Sequence, residues 1–243
     1  MSLEYYGIKV NPFSISPDTR FFFESRAHAR VKSYMTFGIG QGEGFVIVTG
    51  EPGTGKTTLV AQILSRLDPS RLRCARIVPV AGEAEDVLQT VAASFGIPNA
   101  GSGSFAVGQA VGRFVAERGR AGERCLLVVD EAHTLDVAAL ERLRLLADLG
   151  MNGQPQLQVL LVGQPRLRRT LAEPEMELLR QRVVAACHLT PLGEDSIRDY
   201  VQHRLTQAGW HGDPELGDGV FPTLHRHSEG VPRRINLLCS RLL

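Results

Sequence analysis

Eight residues, Gly50-Glu51-Pro52-Gly53-Thr54-Gly55-Lys56-Thr57, stand between an apolar run and an amphipathic one. Their spelling is that of a loop that cradles phosphate. Glycines at 50, 53 and 55 let the backbone curl so that successive N–H groups converge on one anion. A helix starting near Lys56 adds its positive dipole end to the same place. Only Lys9, Lys32 and Lys56 are lysines in a chain whose other basic residues are arginines, so a lysine inside this loop stands out. Lys56 is expected to reach the β- and γ-phosphates of a nucleotide, and the Thr57 hydroxyl to serve Mg²⁺. Glu51, Pro52, Thr54 and Thr58 complete the expected contact set.

A second cluster follows an apolar run at Leu126-Leu127-Val128-Val129-Asp130-Glu131. Two carboxylates at the C-terminal end of a strand lie where ligands bind in open α/β sheets. Asp130 is expected in the Mg²⁺ shell, and Glu131 is placed to polarise an attacking water. The letters Asp130-Glu131-Ala132-His133 also spell a helicase box. That machinery needs two such cores and the length allows one, so His133 reads as structural. Gln164 ends a further strand and is a candidate to orient the water or sense the γ-phosphate. Arg166, Arg168, Arg169, Arg180 and Arg182 crowd the next segment. Most read as solvated helix faces, while Arg182, just before the last strand, is placed to reach a neighbouring subunit's nucleotide. Arg180 is the alternative. Arg233 or Arg234, after Gly230-Val231-Pro232, is a candidate to fold over the nucleotide from a helical segment. His203, His211, His225 and His227 have no companions that would make a zinc cage.

The elements that must position these groups show as alternating patterns. Phe45–Thr49, Ala75–Val80, Cys125–Val129, Gln158–Val162 and Val183–Leu189 read as strands, most of them apolar throughout, as in a parallel sheet covered on both faces. Helical periodicity appears over Thr57–Leu67, Glu83–Phe95, Phe105–Arg118 and Val137–Leu149. This rhythm predicts an α/β core with a five-stranded parallel sheet over residues 1–190. After Thr190-Pro191-Leu192-Gly193 only helices are expected, at Glu194–Ala208, Gly219–His227 and Pro232–Leu243, forming a small lid over 191–243. Asn99–Ser104 reads as a loop, and Phe21-Phe22-Phe23 as a packed anchor for the N-terminal segment. The pattern stops at Leu243 inside a helix without a capping residue, so a longer natural protein is the expectation.

Composition narrows the classes. With 27 basic and 26 acidic residues the net charge is +1, which supplies no bulk attraction to nucleic acid or an anionic membrane. Cys74, Cys125, Cys187 and Cys239 form no paired motif and read as buried free thiols in a reducing compartment. The N-terminus lacks a signal-peptide core, and no apolar run approaches the ~18–20 residues of a membrane helix. A cytoplasmic protein is expected, with peripheral placement at the inner membrane open to it through partners or a C-terminal part beyond residue 243.

Together these motifs resemble the AAA+ ATPases. Further stretches are similar to the ExeA-like (general secretion pathway protein A) ATPases of bacteria: Asn11-Pro12-Phe13, Ser16-Pro17-Asp18, Gly42-Glu43-Gly44-Phe45, Leu161-Val162-Gly163-Gln164-Pro165, Leu179-Arg180-Gln181-Arg182 and Gly230-Val231-Pro232-Arg233-Arg234-Ile235-Asn236. Within that group the wording is most similar to ATPases accompanying exosortase/PEP-CTERM exopolysaccharide systems. The resemblance implies ATP/ADP and Mg²⁺ as cofactors, a nucleotide-dependent homo-oligomeric ring, and cell-envelope or polysaccharide-export proteins as partners. It implies Gln164 as sensor 1, a position more often Asn, Ser or Thr, with Arg182 as arginine finger and Arg233 as sensor 2. A DNA-associated regulator of the transposition type shares the Gln-Pro and Arg-Gln-Arg wording, and the near-neutral charge counts against it. A nucleotide-gated scaffold without turnover is the third reading, against which Glu131 stands.

Overall fold

A computed structural model describes residues 7–15, 18–79, 84–98, 101, 103–151, 154–155 and 157–242. The chain divides into two compact units. One comprises Val31–Thr49 and Ile63–His188, the other Met1–Arg30, Gly50–Gln62 and Leu189–Leu243.

The first unit is organised by strands β1 (Phe45–Gly50), β2 (Leu72–Ile77), β3 (Arg124–Val129), β6 (Leu157–Gly163) and β7 (Val183–Leu189), in the sheet order β2-β3-β6-β1-β7. β3 pairs with β2 and β6, and β6 with β1, all in parallel. The three central strands are buried along nearly their whole length, whereas β2 and β7 are only partly covered, as edge strands are. This explains why the central runs are continuously apolar. Each buried Val or Leu there contributes about 1.5–3 kcal/mol, and a polar residue would forfeit that on either face.

The helices of this unit include α3 (Ala84–Ser94), α4 (Ser104–Arg120), α5 (Val137–Ala147), α6 (Arg166–Leu171) and α7 (Glu177–Arg180). Val87, Val91, Val107, Val111, Leu140 and Leu143 supply apolar faces to the core shared with β3 and β6. A small antiparallel ribbon, β4 (Gly150–Met151) with β5 (Gln154–Pro155), precedes β6.

Several expected boundaries move. The strand expected at Ala75–Val80 instead begins at Leu72 and ends at Ile77. Val78 is exposed and Pro79 has no N–H to give a ladder, so pairing stops there. The helix expected to run to Leu67 ends at Leu64, and the one expected to Leu149 ends at Ala147. Val80, Glu83, Asn99, Ala100, Ser102 and Leu243 lie outside the described residues. Helix α1 (Arg26–Gln41) was not among the expected elements. Its buried Val31, Met35 and Ile39 recur every four residues, but Arg26, His28, Arg30 and Lys32 dilute the pattern in its first half. Cys74 corrects the thiol reading, since it is exposed on β2.

The second unit gathers α8 (Glu194–Gln207), α9 (Val220–Ser228), α10 (Pro232–Leu242), the start of α2 (Lys56–Leu64) and the N-terminal segment. Ile8, Phe13 and Phe21 share one core with Ile197, Leu205, Phe221 and Ile235. Arg204 is buried in it, with Nε donating to the Pro12 carbonyl at 2.5 Å and Nη2 to that of Ser14 at 3.2 Å. Phe23 packs edge-on against Tyr200 at 5.8 Å between ring centroids, so the aromatic run does serve as a packed anchor. None of the helices among the described residues is long and apolar enough to cross a membrane.

Candidate nucleotide site

Because β1, β6 and β3 are parallel, Thr49, Gly163 and Val129 end at one edge of the sheet, and the glycine-rich loop leaves that edge through Gly50. Inside the loop the Lys56 ammonium donates to the carbonyls of Gly50 at 2.8 Å and Glu51 at 2.9 Å. It is only 8% exposed. The Thr54 hydroxyl donates to the Glu51 carbonyl at 2.8 Å, closing the turn. Gly53 has φ +84°, and a Cβ there would come within 2.6 Å of the Cβ of Arg233. An L-residue at 53 would thus be strained twice, by its backbone and by the start of α10. Thr57 and Thr58 lie in the first turn of α2, where backbone N–H groups have no partner within the helix. These residues fit a phosphate chain with Mg²⁺: curled backbone, helix N-terminus, a buried ammonium and an adjacent hydroxyl.

Arg233 follows Pro232 at the start of α10, and its N–H donates to the Gly53 carbonyl at 3.2 Å. The structure therefore brings Arg233 to the loop. Its guanidinium is exposed and forms no ion pair among the described residues, whereas Arg234 pairs with Glu229.

At the end of β3, Asp130 is nearly buried, with a side chain 7% exposed. One carboxylate oxygen accepts the Glu131 N–H at 3.0 Å. The other accepts Arg76 Nη2 at 2.5 Å. Glu131 itself has φ +54°, unusual for a residue with a Cβ. The Thr134 N–H and hydroxyl both donate to its carbonyl, at 3.0 and 2.9 Å, and hold that conformation. Its carboxylate, 46% exposed, lies 3.3 Å from His133 Nδ1, in keeping with a supporting role for His133. Gln164 follows β6, half-buried, and its side chain has no hydrogen-bond partner among the described residues.

Arg180 and Arg182 separate clearly. Arg180 donates to the carbonyls of Leu171 and Glu173, both at 2.7 Å, and pairs with Glu177, so it ties α6 to α7. Arg182 has one ion pair, to Asp148 at 3.2 Å, and is 49% exposed. The Arg182 carbonyl accepts the Phe45 N–H, which puts Arg182 at the start of β1 and not at its loop end. The four steps from Phe45 to Thr49 span ~13 Å, so this arginine sits at the opposite edge of the sheet from the carboxylates.

Two participants escaped the sequence reading. Arg76 carried a signal, a charge inside the apolar run Ala75–Val80. His28, described below, carried none that its own segment revealed.

Residues 39–171, more than half of the chain, match the family model of the AAA domain. Over its whole length the chain is 36% identical to General secretion pathway protein A of Aeromonas hydrophila, and it spans 44% of that protein. Among solved structures it is similar to Cdc6p of Pyrobaculum aerophilum, with TM-score 0.70 and 18% identity, covering 93% of this chain and 63% of that one. The ORC1 protein of Aeropyrum pernix, solved in complex with DNA, gives TM-score 0.67 and 18% identity over 95% of this chain and 62% of that one. At such identity these structures speak for the fold alone. That fold and the family match agree, and the chain belongs to the AAA domain family of P-loop ATPases.

Proposed function

We propose that the chain binds ATP and hydrolyses it to ADP and phosphate, driving a bacterial cell-envelope process, secretion or exopolysaccharide export. The observation that carries the catalytic half is the buried Lys56 ammonium inside a loop of Gly50, Gly53 and Gly55. In this reading the loop N–H groups and Lys56 hold the phosphates, and Arg233 adds charge from the lid, residues 191–243. Thr57 and Asp130 hold Mg²⁺, which neutralises phosphate charge when bound. Glu131 polarises the water and Gln164 orients it. Arg182, being at the other sheet edge, acts on a neighbouring subunit's nucleotide in a homo-oligomeric ring. The engagement of Arg180 with Leu171, Glu173 and Glu177 supports Arg182 over it for that role.

The envelope half rests on the similarity to General secretion pathway protein A, and attachment to the inner membrane would be peripheral, through partners. Association with PEP-CTERM export is the finer form of the same proposal. The catalytic half is tested by two variants. Lys56→Ala should abolish ATP binding in calorimetry, and Glu131→Gln should bind ATP yet lose most turnover. Unchanged affinity in the first, or near-normal turnover in the second, refutes the corresponding role. For the process, neighbouring exosortase or polysaccharide genes would support the reading, and transposase genes would overturn it.

A further inference from the structure

The loop's outer side carries a buried polar chain that the phosphate motif does not include. Ser25 precedes α1 and caps it: its Oγ accepts the His28 N–H at 3.3 Å, and its carbonyl accepts the Ala29 N–H. The same Oγ lies 2.7 Å from His28 Nδ1. On the far side of the ring, Nε2 lies 3.1 Å from the carbonyl oxygen of Thr54, within the loop. Both Ser25 and His28 are buried.

The chemistry of the partners fixes the protons. A carbonyl only accepts, so Nε2 bears the hydrogen and donates to Thr54. In the neutral ring Nδ1 then accepts, and the Ser25 hydroxyl donates to it. Burial, the largest influence on His28, lowers its pKa and favours this neutral form against the opposing pull of the Thr54 bond and Glu24. Phe22 meets the ring edge-on at 5.4 Å and limits its rotation.

The consequence lies in the peptide joining Thr54 to Gly55. In a trans peptide C=O and N–H point in opposite directions. A bond that pins the Thr54 carbonyl outward therefore aims the Gly55 N–H the other way, toward the concave side of the loop. Gly55 has φ +96° and no side chain, so little else in its own residue restrains that plane. A Cβ at 55 would come within 3.2 Å of Nε2, which shows how closely the ring approaches.

We propose that His28, oriented by Ser25, is a positioning residue of the phosphate loop: by holding the Thr54 carbonyl it presents the Gly55 N–H to the nucleotide's phosphates. This rests on the phosphate-loop reading above and extends it to residues outside the motif.

The test is ATP affinity, by titration with a fluorescent ATP analogue, for His28→Leu, His28→Gln, Ser25→Ala and Lys56→Ala, with urea midpoints recorded. Loss of one buried hydrogen bond should weaken affinity on the order of tenfold in His28→Leu. Gln, whose amide nitrogen can occupy the place of Nε2, should recover most of that loss. Because the Gly55 N–H binds phosphate before and during reaction, KM should rise while kcat changes little. His28→Leu that is folded and binds like the native protein, or Gln that fails as Leu does, overturns the proposal. If Leu does not fold, Ser25→Ala decides: weakened ATP binding at an unchanged urea midpoint supports the positioning role, and unchanged binding overturns it. Unchanged affinity in Lys56→Ala would instead overturn the phosphate-loop reading and this proposal with it. Loss there beside native affinity in His28→Leu overturns this proposal alone.

Discussion

The ion pair between Arg76 and Asp130 sets up a competition that can be measured. Asp130 is 7% exposed at its side chain and Arg76 is 41% exposed, with 2.5 Å between them. Removing Arg76 leaves a nearly buried carboxylate without its guanidinium. A charge-assisted hydrogen bond to a largely buried acid contributes about 1.5–3 kcal/mol, and the half-exposed arginine argues for the middle of that range. In EDTA, Arg76→Ala should therefore lose about 2 kcal/mol, a fall in Tm of roughly 4–8 °C for a chain of this size.

Asp130→Asn should cost less, because the exposed guanidinium finds water. The double variant should show a coupling of about 1–2 kcal/mol. On the proposed role of Asp130 toward Mg²⁺, the ion reverses the order. In the native protein it approaches a carboxylate already neutralised by Arg76, and in Arg76→Ala it meets the full charge. With saturating ADP, the Mg²⁺ concentration giving half of the rise in Tm should fall by about 5–30-fold in Arg76→Ala, the equivalent of 1–2 kcal/mol. Two results would refute this: an unchanged melting temperature in EDTA, or the same Mg²⁺ midpoint in both proteins.

Two further expectations concern Arg182 and the thiols. Arg182→Ala should bind ATP normally and lose about 10²–10⁵-fold in turnover, and mixing it with Lys56→Ala should restore activity that neither has alone; concentration-independent turnover without rescue would refute an inter-subunit role. Burial pushes the Cys125 thiol up to about 11 and that of Cys239 to about 12. Desolvation raises the Cys74 thiol as well, but Cys74 is exposed and the other two are buried. At pH 8 an alkylating reagent should therefore modify Cys74 before them and reach those two only on unfolding, which peptide mass mapping checks.

What could be read without coordinates follows from how far apart the cooperating residues lie. The phosphate loop writes its turn, helix start and lysine within eight consecutive letters, so local rules suffice for it. The central strands are equally legible, because burial on both faces leaves a nearly continuous apolar run in β1, β3 and β6, broken inside β6 by Gln158, whose amide nitrogen donates to two carbonyls. The edge strand β2 was misplaced for the complementary reason. With one side of its ladder open, its burial alternates irregularly, and the apolar letter Val78 lies past Ile77, where the pairing ends. Helix α1 is hidden in the sequence because Arg26, His28, Arg30 and Lys32 interrupt the apolar stripe in its first half, where His28 turns toward the loop.

Separation along the chain likewise divides the candidate site residues into two kinds. Lys56 and Thr57 announce themselves by position at a helix start behind a glycine-rich loop, Asp130 and Glu131 by position at a strand end. His28 reaches Thr54 across 26 residues, and Arg76 reaches Asp130 across 54. In the second case the parallel register of β2 on β3, Arg76 level with Val128, is what delivers the guanidinium to the carboxylate. Arg180 and Arg182 show the limit most sharply. They are two letters apart and chemically identical, and only the nearness of Arg182 to the last strand ranks them in the sequence. One is consumed by two carbonyls and a carboxylate of its own segment, while the other is half-exposed beside Asp148 at the sheet edge remote from the loop. On the reading proposed above, that second position assigns Arg182 to the nucleotide of a neighbouring copy of the chain, and the mixing experiment with Lys56→Ala decides it.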